Sequence, residues 1–225
     1  MSYPILVTRS TDEAPDPLYP QPADQADTVL LSPEDGQTVQ FRLNALRTQK
    51  RVGKDWVKTA ELAGCSASAL ITERRVVVAC SNFSKGVGLR GYGVGGLIVA
   101  GLANATTKAA AAHRNKGQML VGQILYEWMV FAIAHEGQGF RSNNQIRLFM
   151  LDPTEPRMLE LYLQLDKKNP ATPYVREVVS RAARFQACRA GSDELRAQLE
   201  AYAAVPTSTV SEQTGATTWV LPRSK

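Results

Sequence analysis

The sequence predicts an α+β chain that is mainly β: a bent antiparallel sheet or partly open barrel, capped by a C-terminal helix and carrying an inserted Ala/Gly-rich helix. Three observations predict it. Short β-rich runs recur along much of the chain, punctuated by turn residues rather than by helices. Two of them, NQIRLFMLD and RMLELYLQLD, place apolar residues in near alternation on either side of DPTEPR, as an antiparallel hairpin does. One clear amphipathic helix follows that hairpin. The chain has 225 residues, 44% of them hydrophobic and 21% charged, which suits one large domain or one domain with extensions.

Residues 10–27, STDEAPDPLYPQPADQAD, hold four prolines and five acids and read as an extended, mobile segment with little to bury. TVLLS and TVQFRL read as strands around the turn PEDGQ. DWVKTAELA, 55–63, fits a strand or a short helix, and its periodicity does not decide. GCSASALITERRVVVAC reads as a hairpin: ALI, a T-E-R-R corner, then VVVAC. Beyond the glycine-rich stretch, QMLVGQILYEWMVFAIAHE contains two strand-like runs. In the helix after the β-hairpin, Pro173 suits the first turn. Val175, Val178, Val179, Ala182 and Phe185 share a face, while Arg176, Arg181 and Arg184 fall mainly on others. A second short helix begins at Ser192 as N-cap, with Asp193 and Glu194 in its first turn and Leu195, Leu199 and Tyr202 as its stripe. TTWVLP reads as a last strand. The organisation is an acidic, Pro-rich tail over 1–27, a domain over 28–187 with an insert at 81–117, and a C-terminal extension over 188–225.

The insert contains GVGLRG, a G-x-G-x-x-G at Gly86, Gly88 and Gly91. A dinucleotide fingerprint needs a tight strand-to-helix turn and an acid about 20 residues on. Here SNFSK separates the strand from the first glycine, and no acid occurs before Glu127. A membrane span needs roughly 20 mostly apolar residues, and Asn104, Thr106, Thr107 and Lys108 interrupt this one. The remaining reading is a helix over 94–112. Its row Leu97, Gly101, Ala105 and Ala109 allows close approach of its own chain, a second copy or a bilayer surface.

ALITERRVVVAC resembles the hairpin of bacterial pleckstrin-homology-like and GRAM-type domains, where an LT-x-RR corner precedes an apolar strand. The later order, QMLVGQILYEW, NQIRLFMLD, RMLELYLQL and then a helix ending in VVSRAARF, is similar to those domains too, over about residues 28–187. The insert departs from the family pattern, in which a short loop follows this hairpin. The resemblance implies a PH-like fold. It also implies, for the lipid-binding members, Lys and Arg in an early strand–loop–strand that hold phosphates. In RTQKRVGKDWVK, 47–58, Lys50, Arg51 and Lys54 would serve phosphate and Trp56 the membrane interface.

Charge is distributed unevenly around the net value of +5. Acids crowd residues 1–35, with Arg9 the one base there, whereas Arg42, Arg47, Lys50, Arg51, Lys54 and Lys58 face only Asp55 over 42–58. No carboxylate occurs between Arg74 and Tyr126. Such asymmetry fits an anionic partner, and the acidic tail is expected to lie over 47–58. Three cysteines, far apart and without C-x-x-C, read as buried reduced thiols of a cytoplasmic protein. His135-Glu136 does not extend to H-E-x-x-H, and no G-x-S-x-G occurs, so no metal, cofactor or catalytic residue is expected. The expected function is a non-catalytic, cytoplasmic or membrane-peripheral module that contacts a protein partner or an anionic membrane surface. The second reading is a nucleic-acid-binding module through 42–58 and 74–116, although aromatic residues beside those charges are sparse. The third is a self-assembling homo-oligomer through the helix 94–112.

Overall fold

The computed structural model describes residues 3–16, 19–23, 28–80, 118–137 and 143–223, the side chains of 63–66 apart. The expected helix 94–112, with Leu97, Gly101, Ala105 and Ala109, and the whole insert 81–117 lie outside the described residues. Those described are mainly β. Strands β4 (Val39–Val52), β5 (Asp55–Ile71), β6 (Arg75–Cys80) and β7 (Gln118–Leu125) pair antiparallel, each with the next. Strands β8 (Met129–His135), β9 (Gln145–Leu151) and β10 (Met158–Leu165) do the same, and β10 returns along β4. An N-terminal strand, β1 (Leu6–Ser10), adds to β7. At the other edge β12 (Thr217–Val220) pairs with β8, and β11 (Thr209–Val210) pairs with β12. The result is a ten-stranded antiparallel sheet, not closed into a barrel, with two helices near the C-terminus.

Alternation explains which face is core. On β10, Leu159, Leu161, Leu163 and Leu165 are buried in the main cluster; on β9, Ile146, Leu148 and Met150 join them. Each such side chain contributes about 2 kcal/mol on leaving water. Register shifts at Leu43/Ala45, Thr48/Gln49 and Gln164/Leu165 mark bulges, which increase local twist and bend long strands. Residues 55–63 are strand: DWVKTAELA lies wholly within β5, paired along β4. TVLLS contributes only β3 (Val29–Leu30), which pairs with β2 (Gln21–Pro22) instead of with its sequence neighbour β4. Ser32 then caps the short 3-10 turn Pro33–Asp35.

Helix α1 (Ala171–Ala187) has its first turn capped from a distance: Glu136 accepts from the backbone N–H of Ala171 and Thr172 at 3.1 and 2.7 Å. Val175, Val178, Val179 and Ala182 are buried and Phe185 is half-buried. Arg181 departs from its expected place away from the core. It is buried, ion-paired to Glu73 and Glu177, and donates to the carbonyl of Gln37 at 2.5 Å. Helix α2 (Asp193–Ala204) starts where expected, with Ser192 Oγ accepting from Leu195 N–H at 3.2 Å. Leu199 and Tyr202 join the core, as does Trp219 of β12, so the C-terminal extension shares the core of the preceding domain.

The N-terminal segment also departs from an extended tail with little to bury. Tyr3, Ile5, Leu6 and Tyr19 are core residues. Tyr3 links two parts of the sheet: its hydroxyl accepts from Gln123 at 2.8 Å and its N–H donates to Asp152 at 3.3 Å. Burial raises the pKa of the Tyr3 phenol above the usual value, although the Gln123 hydrogen bond opposes it. β1 can lie this close because Gly122 has no side chain; a Cβ there would meet Leu6 and, at 2.8 Å, the carbonyl of Ile5. The expectation of buried thiols holds for Cys80 and fails for Cys188, which is exposed; the Cys65 side chain lies outside the described residues.

Candidate functional site

The T-E-R-R corner, Thr72–Arg75, is a closed polar lock. Arg75 donates to both oxygens of the buried Asp35 carboxylate, at 2.9 and 2.6 Å, and to Gln123 at 2.8 Å. Thr72 Oγ1 accepts from the backbone N–H of Arg74 and Arg75 and donates to Asp35 at 3.0 Å. Glu73 pairs with Arg181 and Arg74 with Glu34. The bidentate geometry ties β6 to the loop before β4. A cleft of about 450 Å³ opens beside the corner, lined by Leu31, Leu125 and Phe185 among others. Arg74 and Arg75, which also line it, already face carboxylates, so it carries no unmet demand for an anion.

The β4–β5 hairpin tip is the opposite case. Its two-residue turn is Gly53–Lys54, and Gly53 adopts φ 62°, which a glycine takes without steric cost. Arg51 and Lys54 are exposed, and Lys50 is half-buried. Among the described residues, none of the three has a carboxylate within ion-pairing distance, while Lys58 pairs with Glu61. Two apolar side chains stand among these cations: Val52 is 50% exposed and Val57 is 41% exposed. Among the described residues, the paired N-terminal acids lie elsewhere. Glu13 and Asp16 pair with Arg9, and Glu34 and Asp35 with the corner.

Trp56 is half-buried and pairs across the hairpin with Arg51. It packs edge-on against Phe149, ring centroids 5.6 Å apart. Phe149 in turn stacks on Phe131 at 4.1 Å and 17°. These rings belong to the sheet face turned away from the core. Paired positions there run Arg47, Tyr162, Arg147 and Gln49, Glu160, Phe149 across β4, β10 and β9. The Arg47 guanidinium lies over the Tyr162 ring at 4.5 Å, and that of Arg147 over Phe149 at 5.1 Å. Glu160 is 0% exposed yet outside the core cluster; Arg147 Nε donates to its Oε1 at 2.7 Å. Among the described residues, Glu160 Oε2 and Arg47 Nε have no hydrogen-bond partner, as is true of five other buried atoms elsewhere in the fold. Burial raises the pKa of Tyr162, with the two arginines opposing.

Sequence reasoning grouped Lys50, Arg51, Lys54 and Trp56, and β4–β5 pairing brings them to one tip. It missed Phe131, Arg147, Phe149, Glu160 and Tyr162. The available signal was parity: each occupies an outward position in an alternating strand, where a solvated face would carry small polar residues. Among the described residues no cluster of three metal-ligating side chains occurs, and no helix is long and apolar enough to cross a membrane. Glu136 of His135-Glu136 is the cap of α1. No protein-family model, no curated protein and no solved structure matches the chain.

Proposed function

We propose that the chain is a non-catalytic binding module of PH-like architecture that contacts an anionic surface through the tip of its β4–β5 hairpin. The observation that carries the reading is the set of uncompensated cations Lys50, Arg51 and Lys54 at one tip, beside a Val52 and Val57 left exposed. Unpaired cations cost nothing in water, and they attract an anion over about a Debye length. The PH-like part is supported by the strand order β7-β6-β5-β4-β10-β9-β8, four strands and then three, followed by α1. The module is read as cytoplasmic or peripheral to a membrane, with protein partners reached through the same tip.

The test is retention on an anionic heparin matrix across a salt series, wild type against the double variant Arg51→Glu, Lys54→Glu. Wild type should elute at higher salt, and the variant should pass through while keeping the wild-type melting curve. Equal elution of the two proteins sinks the proposal.

A further inference from the structure

We infer that the anionic partner is a single-stranded nucleic acid, laid across the outward face of β4, β10, β9 and β8 beside the tip. The inference rests on the tip being an anionic-contact site and adds its occupant. A charged tip alone does not distinguish a lipid headgroup from a nucleic-acid phosphate. What distinguishes them is the surface continuous with it. A solvated sheet face is ordinarily polar, but this one carries Trp56, Phe131 and Tyr162, each half-buried, around a buried Phe149, with Arg47 over Tyr162 and Arg147 over Phe149. Single-strand binders combine these two parts: cations that follow the backbone, and flat groups on which unpaired bases stack. An arginine guanidinium is itself a flat group on which bases stack.

The charges agree. Arg147 pairs with Glu160 and Lys58 with Glu61, whereas Arg47, Arg51 and Lys54 have no carboxylate within ion-pairing distance among the described residues. They lie along one hairpin, at successive distances from the aromatic row. The two unpartnered atoms add a second, independent observation. Glu160 Oε2 lacks a donor and Arg47 Nε lacks an acceptor, and both sit on this face within two register positions of each other. A buried polar atom without a partner is uncommon in a folded protein. A base edge offers a donor and an acceptor side by side, and would satisfy both once Trp56 or Arg47 moves aside. A phosphodiester by itself, of a lipid or of a nucleic acid, offers acceptors only and leaves Glu160 unmet.

The experiment uses the full chain. Labelled DNA and RNA single strands of about 20 nucleotides, longer than the site of one such module, are titrated by anisotropy beside the matching duplexes. Vesicles of phosphatidylcholine with phosphatidylserine are sedimented in parallel, all over a salt series. Single strands should bind at least about tenfold tighter than duplex, because paired bases cannot stack on the rings. Tyr162→Ala should lose about tenfold in single-strand affinity at unchanged salt slope, and Arg51→Glu with Lys54→Glu should flatten the slope. Bound single strand should quench tryptophan emission in wild type and not in Trp56→Phe, a readout that stands even where Tyr162→Ala fails to fold. Duplex binding as tight as single strand overturns the inference. So does capture by anionic vesicles without oligonucleotide binding, in which case the anionic-surface reading of the tip stands. Binding to neither, with no heparin retention, brings down both.

Discussion

The T-E-R-R corner and the β4–β5 tip carry the same kind of sequence, two adjacent basic residues beside a turn, and put it to opposite uses. At the corner, Arg75 meets a fully buried Asp35 twice and gives its remaining hydrogen bond to Gln123. At the tip, Arg51 and Lys54 meet no carboxylate among the described residues. A buried charge must be paired, because solvent no longer stabilises it; an exposed one need not be. Doublets of basic residues therefore say nothing of function until their burial is known. The segment LITERR is here a structural bolt. The less distinctive run beside Trp56 is where charge is left over.

The contrast is broken most directly at Arg75. Arg75→Met leaves the Asp35 carboxylate buried and unpaired, and should cost about 3–5 kcal/mol. A melting temperature within a few degrees of wild type would remove the corner from its structural role. Asp152 comes next, as a second bolt outside the corner. It accepts from Thr154 at 2.9 and 2.6 Å, from Arg157 at 3.0 Å and from Tyr3 N–H. Burial pushes its pKa up, but these hydrogen bonds outweigh burial and hold it below the ordinary 3.8. A depressed folded value means that the stabilisation is fully present above about pH 4 and is lost as pH falls through the folded value. Asp152→Asn should lower stability near neutrality and shrink the acid-dependent loss, read from melts at stepped pH. Gly122→Ala is expected to cost about 1–3 kcal/mol by forcing Leu6 and Ile5 off β7. Amide exchange in β1 should rise more than in β9; equal change in both would mean that β1 is not displaced. The smallest stability effect belongs to the tip: Arg51→Glu with Lys54→Glu should shift unfolding by no more than about 0.5 kcal/mol. A large loss there would show that these cations hold the fold, and would erase the difference between the two regions.

Much of the fold was legible because its signals are local. The β9–β10 hairpin follows from alternation around DPTEPR, α1 from a period of 3.6, and α2 from the cap at Ser192. The elements left open or misread are those whose structure comes from distant partners. Residues 55–63 have no decisive period of their own; they are strand because β4 lies beside them. The acidic N-terminal segment is too polar and Pro-rich to promise a strand, yet Leu6–Ser10 has one edge of β7 to complete and Gly122 leaves it room. The candidate surface divides in the same way. Lys50, Arg51, Lys54 and Trp56 are close in sequence and could be grouped on sight. Arg47, Arg147, Phe149 and Tyr162 meet only through the pairing of β10 with both β4 and β9.

By itself, then, the sequence determined which segments are strands and helices wherever hydrophobic period and caps act over a few residues, and which stretches hold an excess of positive charge. Tertiary structure decided which of those charges remain. Asp35 reaches Arg75 across 40 residues and Glu160 reaches Arg147 across 13, whereas among the described residues no acid is folded back onto Arg51 or Lys54. Neutralisation depends on distance in space and on loss of water, neither of which is written in the spacing of residues along the chain.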